Sequence, residues 1–295
     1  MAVIGAGSVG GVFAAHLSAV HDVVACVRRP FDRWHIESKE IPFEGPARAV
    51  TDPGELPWAS PADAVLVALK AQHTDGATGW FAPLCGPDTL VISVQNGIEG
   101  AERLEPLAPE STIIAGVVYC GAELLEPGHV RHSAMARLIV PDDPAGRRAA
   151  ALADGTPLAI EPSAAALTSA WVKLGLNSVA NGLTALTVKP MGVLADAGIR
   201  AIGEQLLSEC WTVGRAAGAE LDLDGIPRTL EGMSRNRRGR TSMLQDREAG
   251  RPTEHDAIHG AVLRQGERYG IPTPVTRIVH DLLAAGDPDP DEPSP

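Results

Sequence analysis

The chain contains no apolar run approaching the ~20 residues that a membrane-crossing helix requires, so no membrane association is expected. Only Ala2, Val3 and Ile4 separate Met1 from the first glycine, leaving no room for the charged and apolar regions of a signal peptide, and a cytoplasmic protein is expected. Cysteine is sparse: Cys26, Cys85, Cys120 and Cys210 lie far apart, with no CxxC pair and no Cys/His metal spacing. They read as buried free thiols, and no metal is expected. Positive charge is also in deficit. A net charge of −12 repels polyanions and argues against a nucleic-acid partner, so any phosphate site must be built locally. The one basic run, Arg235-Asn236-Arg237-Arg238-Gly239-Arg240, reads either as a grip on an acidic ligand or as a solvated loop or dimer-edge patch. There is no internal repeat.

What is present suits a globular protein. A length of 295 residues with 44% hydrophobic and 21% charged residues suits two domains, each large enough to bury a core. The first half alternates strand-like and helical stretches, the pattern of a parallel sheet with crossover helices. Strands are expected at Ala2–Ile4, Val23–Val27, Ala64–Leu69, Thr89–Val94 and Ile113–Tyr119, with a helix over Val9–Val20. A hairpin turning at Glu126-Pro127-Gly128-His129, with an apolar run Ala136–Val140, is expected to extend that sheet in mixed fashion. After Ser163 apolar residues recur at helical spacing through Ala164–Leu186, Val193–Ala217 and Glu254–Tyr269. The expected architecture is an α/β Rossmann-type N-terminal domain over residues 1–162, followed by an all-α C-terminal domain over 163–286. Residues 287–295, where prolines interleave with acidic residues, are expected to form a disordered tail.

The opening Gly5-Ala6-Gly7-Ser8-Val9-Gly10 is a GxGxxG loop placed after a strand and before a helix. Gly5 permits the tight turn, Gly7 lets backbone approach a pyrophosphate, and Gly10 lets the helix pack closely on the strand. The helix N-terminus then offers free N–H groups and its dipole to the anion. An acidic residue at the end of the second strand would bond a ribose 2′-hydroxyl; here Arg28 and Arg29 stand in its place. Guanidinium groups pair with a 2′-phosphate, which favours NADP(H) over NAD(H), with Arg28 first after Val27. The third strand ends at Lys70 and the fourth leads into Asn96, and ligands of such sheets lie beyond the carboxyl ends of the strands. Lys70 is therefore a cofactor-binding candidate or a plain surface lysine. Asn96 is a candidate for the nicotinamide or a substrate carboxylate, or only a turn residue.

In the second half Lys173, Asn177 and Asn181 are spaced four apart, so on a helix they share one face, drifting ~40° per step over ~12 Å. Trp171, Val172, Leu174, Leu176, Val179 and Leu183 nearly surround that strip, which suits the lining of a cleft better than open solvent.

These segments, together with Ser93-Val94-Gln95-Asn96-Gly97, Asn181-Gly182-Leu183-Thr184-Ala185-Leu186 and Thr241-Ser242-Met243-Leu244-Gln245-Asp246 through Thr253-Glu254, resemble the ketopantoate reductases over nearly the whole chain. The resemblance implies a Rossmann domain joined to a helical one, NADPH as hydride donor and a small keto acid as substrate. It also implies Lys173 as catalytic lysine, Glu254 as its partner carboxylate, Ser242 as ligand of the substrate carboxylate, and Asn96, Asn177 and Asn181 as substrate or nicotinamide contacts. Lys70 and Arg28 match the family's basic cofactor positions. One segment departs from the family's pattern: Lys189-Pro190-Met191-Gly192 has Met191 where an asparagine reaches the substrate. A site that loses a polar partner relaxes or redirects its choice of substrate.

Ketone reduction needs a proton for the developing alkoxide, and a lysine ammonium polarises the oxygen before giving one up. Two residues keep a structural alternative. Ser242 also suits a helix cap, and Glu254 a favourable charge in a helix's first turn. Rival functions are an NADP-dependent reductase of another 2-keto acid or a 3-hydroxy acid dehydrogenase, and a non-catalytic NADP-sensing protein. The apolar helical half is compatible with a homodimer.

Overall fold

A computed structural model of the chain describes residues 1–288, which divide into two compact units, the first Met1–Ala166 and the second beginning at Leu167. The expected boundary at Pro162 falls inside a strand. Residues 289–295 of the expected tail lie outside the described residues.

In the first unit the strands are β1 Ala2–Ile4, β2 Val24–Cys26, β3 Arg33–Glu37, β4 Phe43–Pro46, β5 Ala49–Val50, β6 Ala64–Val67, β7 Leu90–Ser93, β8 Thr112–Ala115, β9 Val117–Glu126, β10 His129–Pro141 and β11 Ala159–Ser163. The helices are α1 Ser8–Leu17, α2 Phe81–Leu84, α3 Gly100–Leu104 and α4 Pro144–Ala151. Six strands form an all-parallel sheet in the order β5-β2-β1-β6-β7-β8, the doubly wound arrangement of dinucleotide-binding folds. β1, β2, β6 and β7 are buried at every position, which is why they read as continuous apolar runs rather than alternating ones. Successive residues still face opposite cores: Val3 points toward α1, while Ala2 and Ile4 pack with Phe81, Leu84 and Leu104.

The hairpin does not extend this sheet. β9 and β10 pair around Pro127-Gly128, with Gly128 at φ +79°, and belong to a second sheet in the order β11-β10-β3-β4 with β9 alongside β10. The reason lies in α1. Val12, Phe13, Ala14, Ala15 and Leu17 are buried nearly all round, and their outer side is covered by Trp34, Ile36, Val130, Leu138 and Val140 of the second sheet. The fit is close enough that a Cβ on Gly11 would lie 2.9 Å from Cγ2 of Val130. Pro162 is accommodated because β11 is an edge strand, paired only with β10 through Val140↔Pro162.

The second unit is helical: α5 Ala166–Thr187, α6 Ala197–Ala216, α7 Ile226–Ser234, α8 Ser242–Glu248, α9 Ala261–Tyr269 and α10 Pro274–Ala285. α5 and α6 meet where a Cβ on Gly175 would lie 2.6 Å from Cδ1 of Leu207, so only glycine permits the approach. Asp196 caps α6 by accepting from the N–H groups of Gly198 and Ile199 at 3.0 and 3.2 Å. Glu209 of α6 caps α10, accepting from the N–H groups of Val275 and Thr276 at 2.9 and 2.8 Å. No described helix is long and apolar enough to cross a membrane. All four cysteines are free, and burial pushes the thiols of Cys26 and Cys85 up to about 12 and about 11.

A single turn of wider pitch, Asp256–Gly260, precedes α9, with the Ala261 N–H donating to the Asp256 carbonyl. It carries His259, fully buried against α5, whose Nε2 donates to the Ser178 carbonyl at 3.0 Å. Burial lowers this imidazole from 6.5 to about 4. Between those values the unfolded chain takes up the proton and the folded one does not, so the stability is fully present above the unfolded pKa and lost as pH falls. Urea unfolding should show a loss of about 2 kcal/mol from this group between pH 7 and pH 5. The His259→Gln variant should lose that part of the slope; an unchanged slope would remove the assignment.

Candidate functional site

In the first unit the glycine loop bridges β1 and α1. Gly5, at φ +92°, turns the chain out of the sheet while its N–H donates to the Cys26 carbonyl at 3.1 Å. A Cβ on Gly10 would overlap the Gly5 carbonyl oxygen and lie 2.8 Å from Cβ of Ala68, so α1 sits directly on the loop and on the end of β6. Gly7 is the opposite case: a Cβ there would meet nothing within 4 Å. It is also the N-cap of α1 and no side chain caps the helix, so the main chain presents its first-turn N–H groups beside open space. That combination fits a dinucleotide pyrophosphate.

Arg28 follows the sheet's last bond on this strand, in which the Val27 N–H donates to the Val50 carbonyl at 2.9 Å. Arg28 and Arg29 are exposed, and among the described residues neither has an acidic partner. Lys70, half-buried, precedes a short turn Ala71–His73 at the end of β6, and Asn96 follows β7. Two residues with no signal in the local sequence, Gln95 and Thr74, tie these positions together. Buried Gln95 donates from Nε2 to Thr74 Oγ1 at 2.8 Å, and that hydroxyl donates to the Ala71 carbonyl at 2.8 Å. The loop carrying Asn96 is thereby pinned to the turn carrying Lys70. The glycine loop, Arg28, Lys70 and Asn96 thus all stand at the carboxyl edge of one parallel sheet.

In the second unit Lys173, Asn177 and Asn181 lie on α5, the first two half-buried and Asn181 buried. Trp171, Leu174 and Ser178 are buried beside them. Ser242 is not a cap. Thr241 is, accepting at Oγ1 from the Leu244 N–H at 3.1 Å, which leaves Ser242 exposed as the first residue of α8. Thr241 also bonds the Thr184 hydroxyl of α5 at 2.7 Å. Since Thr184 falls one turn beyond Asn181, this contact sets the start of α8 against the polar strip.

Glu254 is buried just before the turn that carries His259, its carbonyl accepting from the Ile258 N–H at 3.1 Å. That turn is seated on α5 so closely that a Cβ on Gly182 would lie 2.7 Å from Nε2 of His259. A carboxylate from the expected tail holds the neighbouring residue. Asp287 accepts from the Thr253 N–H at 2.9 Å and hydroxyl at 3.1 Å, and pairs with His255 at 3.2 Å and Arg247 at 3.4 Å. Against burial, which raises it, His255 and Thr253 hold its carboxyl below the usual range. Nothing in a proline-rich acidic stretch signalled this anchor.

Met191 opens a short turn, Met191–Ala195, whose first two N–H groups donate to the Gly239 and Arg237 carbonyls at 2.9 and 3.0 Å. The basic run therefore braces this segment with its backbone. Its side chains face outward: Arg235 pairs with Glu231 at 3.1 Å and Arg240 with Glu248.

Comparison with known proteins agrees with both halves. Residues 1–144 match the family described as ketopantoate reductase PanE/ApbA, and residues 165–287 match its C-terminal domain. A 2-dehydropantoate 2-reductase of Caulobacter vibrioides is 36% identical over 288 residues, 97% of this chain and 98% of the relative. One from Mycobacterium tuberculosis is 33% identical, with 97% of each chain covered. The crystal structure of a PanE/ApbA family ketopantoate reductase from Ralstonia eutropha superposes with a TM-score of 0.86 at 31% identity, covering 97% of this chain and 98% of that one. With both halves matched and relatives aligned end to end, this chain belongs to the ketopantoate reductase family of oxidoreductases.

Proposed function

We propose that this protein reduces 2-dehydropantoate to pantoate with NADPH, Lys173 supplying the proton and Glu254 orienting that lysine or holding a substrate hydroxyl. The observation that carries the reading is the convergence, within the helical unit, of the α5 strip, the start of α8 and the Glu254 segment. Three separate stretches of sequence meet there through the Thr184–Thr241 and Ser178–His259 contacts. The curated relatives' names point to the same substrate.

When bound, the dinucleotide supplies the hydride. Gly5, Ala6, Gly7, Ser8, Val9 and Gly10 would hold its pyrophosphate, and Arg28 its 2′-phosphate, with Lys70 adding charge at the same sheet edge. Ser242 is assigned to the substrate carboxylate, Asn96 to that carboxylate or the nicotinamide, and Asn177 and Asn181 to the remaining polar atoms. The Lys173 ammonium polarises the carbonyl and then neutralises the alkoxide.

Steady-state rates on a panel of 2-keto acids, run with NADPH and with NADH, test the reading. Activity confined to other keto acids would overturn the substrate and leave the chemistry, an outcome that Met191 makes worth measuring. Arg28→Glu should weaken NADPH by about 100-fold, through lost charge-assisted bonds and new repulsion, while leaving NADH within a few-fold. Equal loss with both cofactors would remove Arg28 from the 2′-phosphate.

A further inference from the structure

We infer that the second sheet of the N-terminal unit carries a binding site for a divalent transition-metal ion, Zn2+ by preference, formed by His35, Glu37 and His129. The ligand-capable atoms of these three residues lie within 4.8 Å of one another. Their placement follows from strand register. His35 of β3 is the direct partner of His129 of β10, and Glu37 lies two residues along β3, on the same face. The intervening Trp34 and Ile36 point into the core, so the imidazoles stand on the outer face of a packed sheet.

The same transverse row continues on both sides. Glu44 of β4 is the register partner of His35, and Glu126 of β9 is the partner of His129. Four adjacent strands thus present Glu44, His35, His129 and Glu126 in line. The outer carboxylates address the Nδ1 atoms, Glu44 at 3.7 Å from His35 and Glu126 at 3.5 Å from His129. On the inner side Nε2 of His129 lies 2.7 Å from Oε1 of Glu37. A carboxylate on one imidazole nitrogen, with the other turned to an ion, is the arrangement that orients histidine ligands in metal sites. Arg131 fixes the Glu37 carboxylate from behind, its Nε donating to Oε2 at 3.3 Å, which leaves Oε1 toward His129.

The donor set selects the ion. Two imidazoles and one carboxylate with an open fourth position suit Zn2+, whose ligands sit ~2 Å from the metal and roughly 3.3 Å apart. Small side-chain rotations close the present spacing to that value. Imidazole nitrogen disfavours Mg2+ and Ca2+, which take oxygen. Glu37, Glu44, Glu123 and Glu126 around the row outweigh Arg33 and Arg131 in charge and would draw a cation to it. None of these residues belongs to the glycine loop or to the assigned acid-base groups.

The test is isothermal titration of the tag-free, chelator-treated full-length protein with Zn2+, backed by the visible spectrum of the Co2+ form. A single Zn2+ per chain is expected, uncompeted by millimolar Mg2+, with a cobalt spectrum of nitrogen and oxygen ligation. His35→Ala and His129→Ala should each weaken Zn2+ by about 100-fold or more, and Glu126→Gln by about 10-fold. All three should keep the metal-free melting temperature, which separates lost ligation from lost fold. If a histidine variant melts early, Glu37→Gln replaces it in the comparison, with the same 100-fold expectation. Zn2+ binding that is absent, undiminished in these variants, or accompanied by thiolate charge-transfer bands in the cobalt form would overturn the inference.

Discussion

Lys173→Ala should lower kcat for the keto acid by about 1,000-fold while leaving NADPH affinity within a few-fold of the unsubstituted protein. Proton transfer from a positioned side chain contributes about 100- to 10,000-fold, and no other group in the helical unit is assigned to replace it. The substitution is gentle on the fold. Lys173 is only half-buried, alanine is the best helix former, and the apolar neighbours Trp171 and Leu174 are untouched. Cofactor affinity should hold because the dinucleotide contacts are assigned to the other unit. Lys173→Arg sharpens the test. It keeps the charge, yet a guanidinium does not release its proton in this pH range, so polarisation survives while proton delivery fails. Rapid-quench or steady-state kinetics on both variants decide the matter; turnover within about 10-fold of the parent in Lys173→Ala would eliminate the lysine as the acid.

Gly10→Ala and Gly7→Ala should fail in different ways. At Gly10 the added carbon overlaps the Gly5 carbonyl and crowds Cβ of Ala68, and neither neighbour is the end of a flexible side chain. Relief requires α1 to lift from the loop, but α1 is held between the parallel sheet and Val130, Leu138 and Val140 of the second sheet. Overpacking of this kind costs about 1–3 kcal/mol, and the displaced helix N-terminus should also weaken NADPH by about 100-fold. At Gly7 the carbon meets no protein atom, so the melting temperature should hold while NADPH binding weakens, because the methyl group takes space the pyrophosphate would use. Thermal melts paired with NADPH fluorescence titrations separate the two. A Gly7→Ala protein that binds NADPH normally would show that the loop does not face the phosphates.

Much of this protein is written in local sequence. β1, β2, β6 and β7 are runs of consecutive buried residues, and α5 carries its polar strip at the helical period, so both announce themselves within one segment. β3 was harder to see. Its only apolar residues are Trp34 and Ile36, an alternation too short to stand out, and its partner β10 lies about a hundred residues away in sequence. The hairpin itself was readable from Pro127-Gly128, but its sheet was not, because strand partners are chosen by which side of α1 needs covering. Thr241 and Ser242 are equivalent caps in sequence for a similar reason: either hydroxyl satisfies the local rule, and only the contact with Thr184 decides between them.

Local sequence is enough for the glycine loop at the start of the chain, the arginines after the second strand, the polar strip on α5 and the change from α/β to all-helical texture. Each is a local pattern whose physics is contained in a few neighbouring residues. Tertiary structure alone decided that a second sheet closes over α1 and that Gln95 and Thr74 lock the loops bearing Asn96 and Lys70. It also decided that Asp287 anchors the segment beside Glu254, and that two histidines and three glutamates meet in one patch. Those outcomes depend on partners far apart along the chain, and such pairings are selected by burial and hydrogen-bond satisfaction over the whole fold rather than by any local preference.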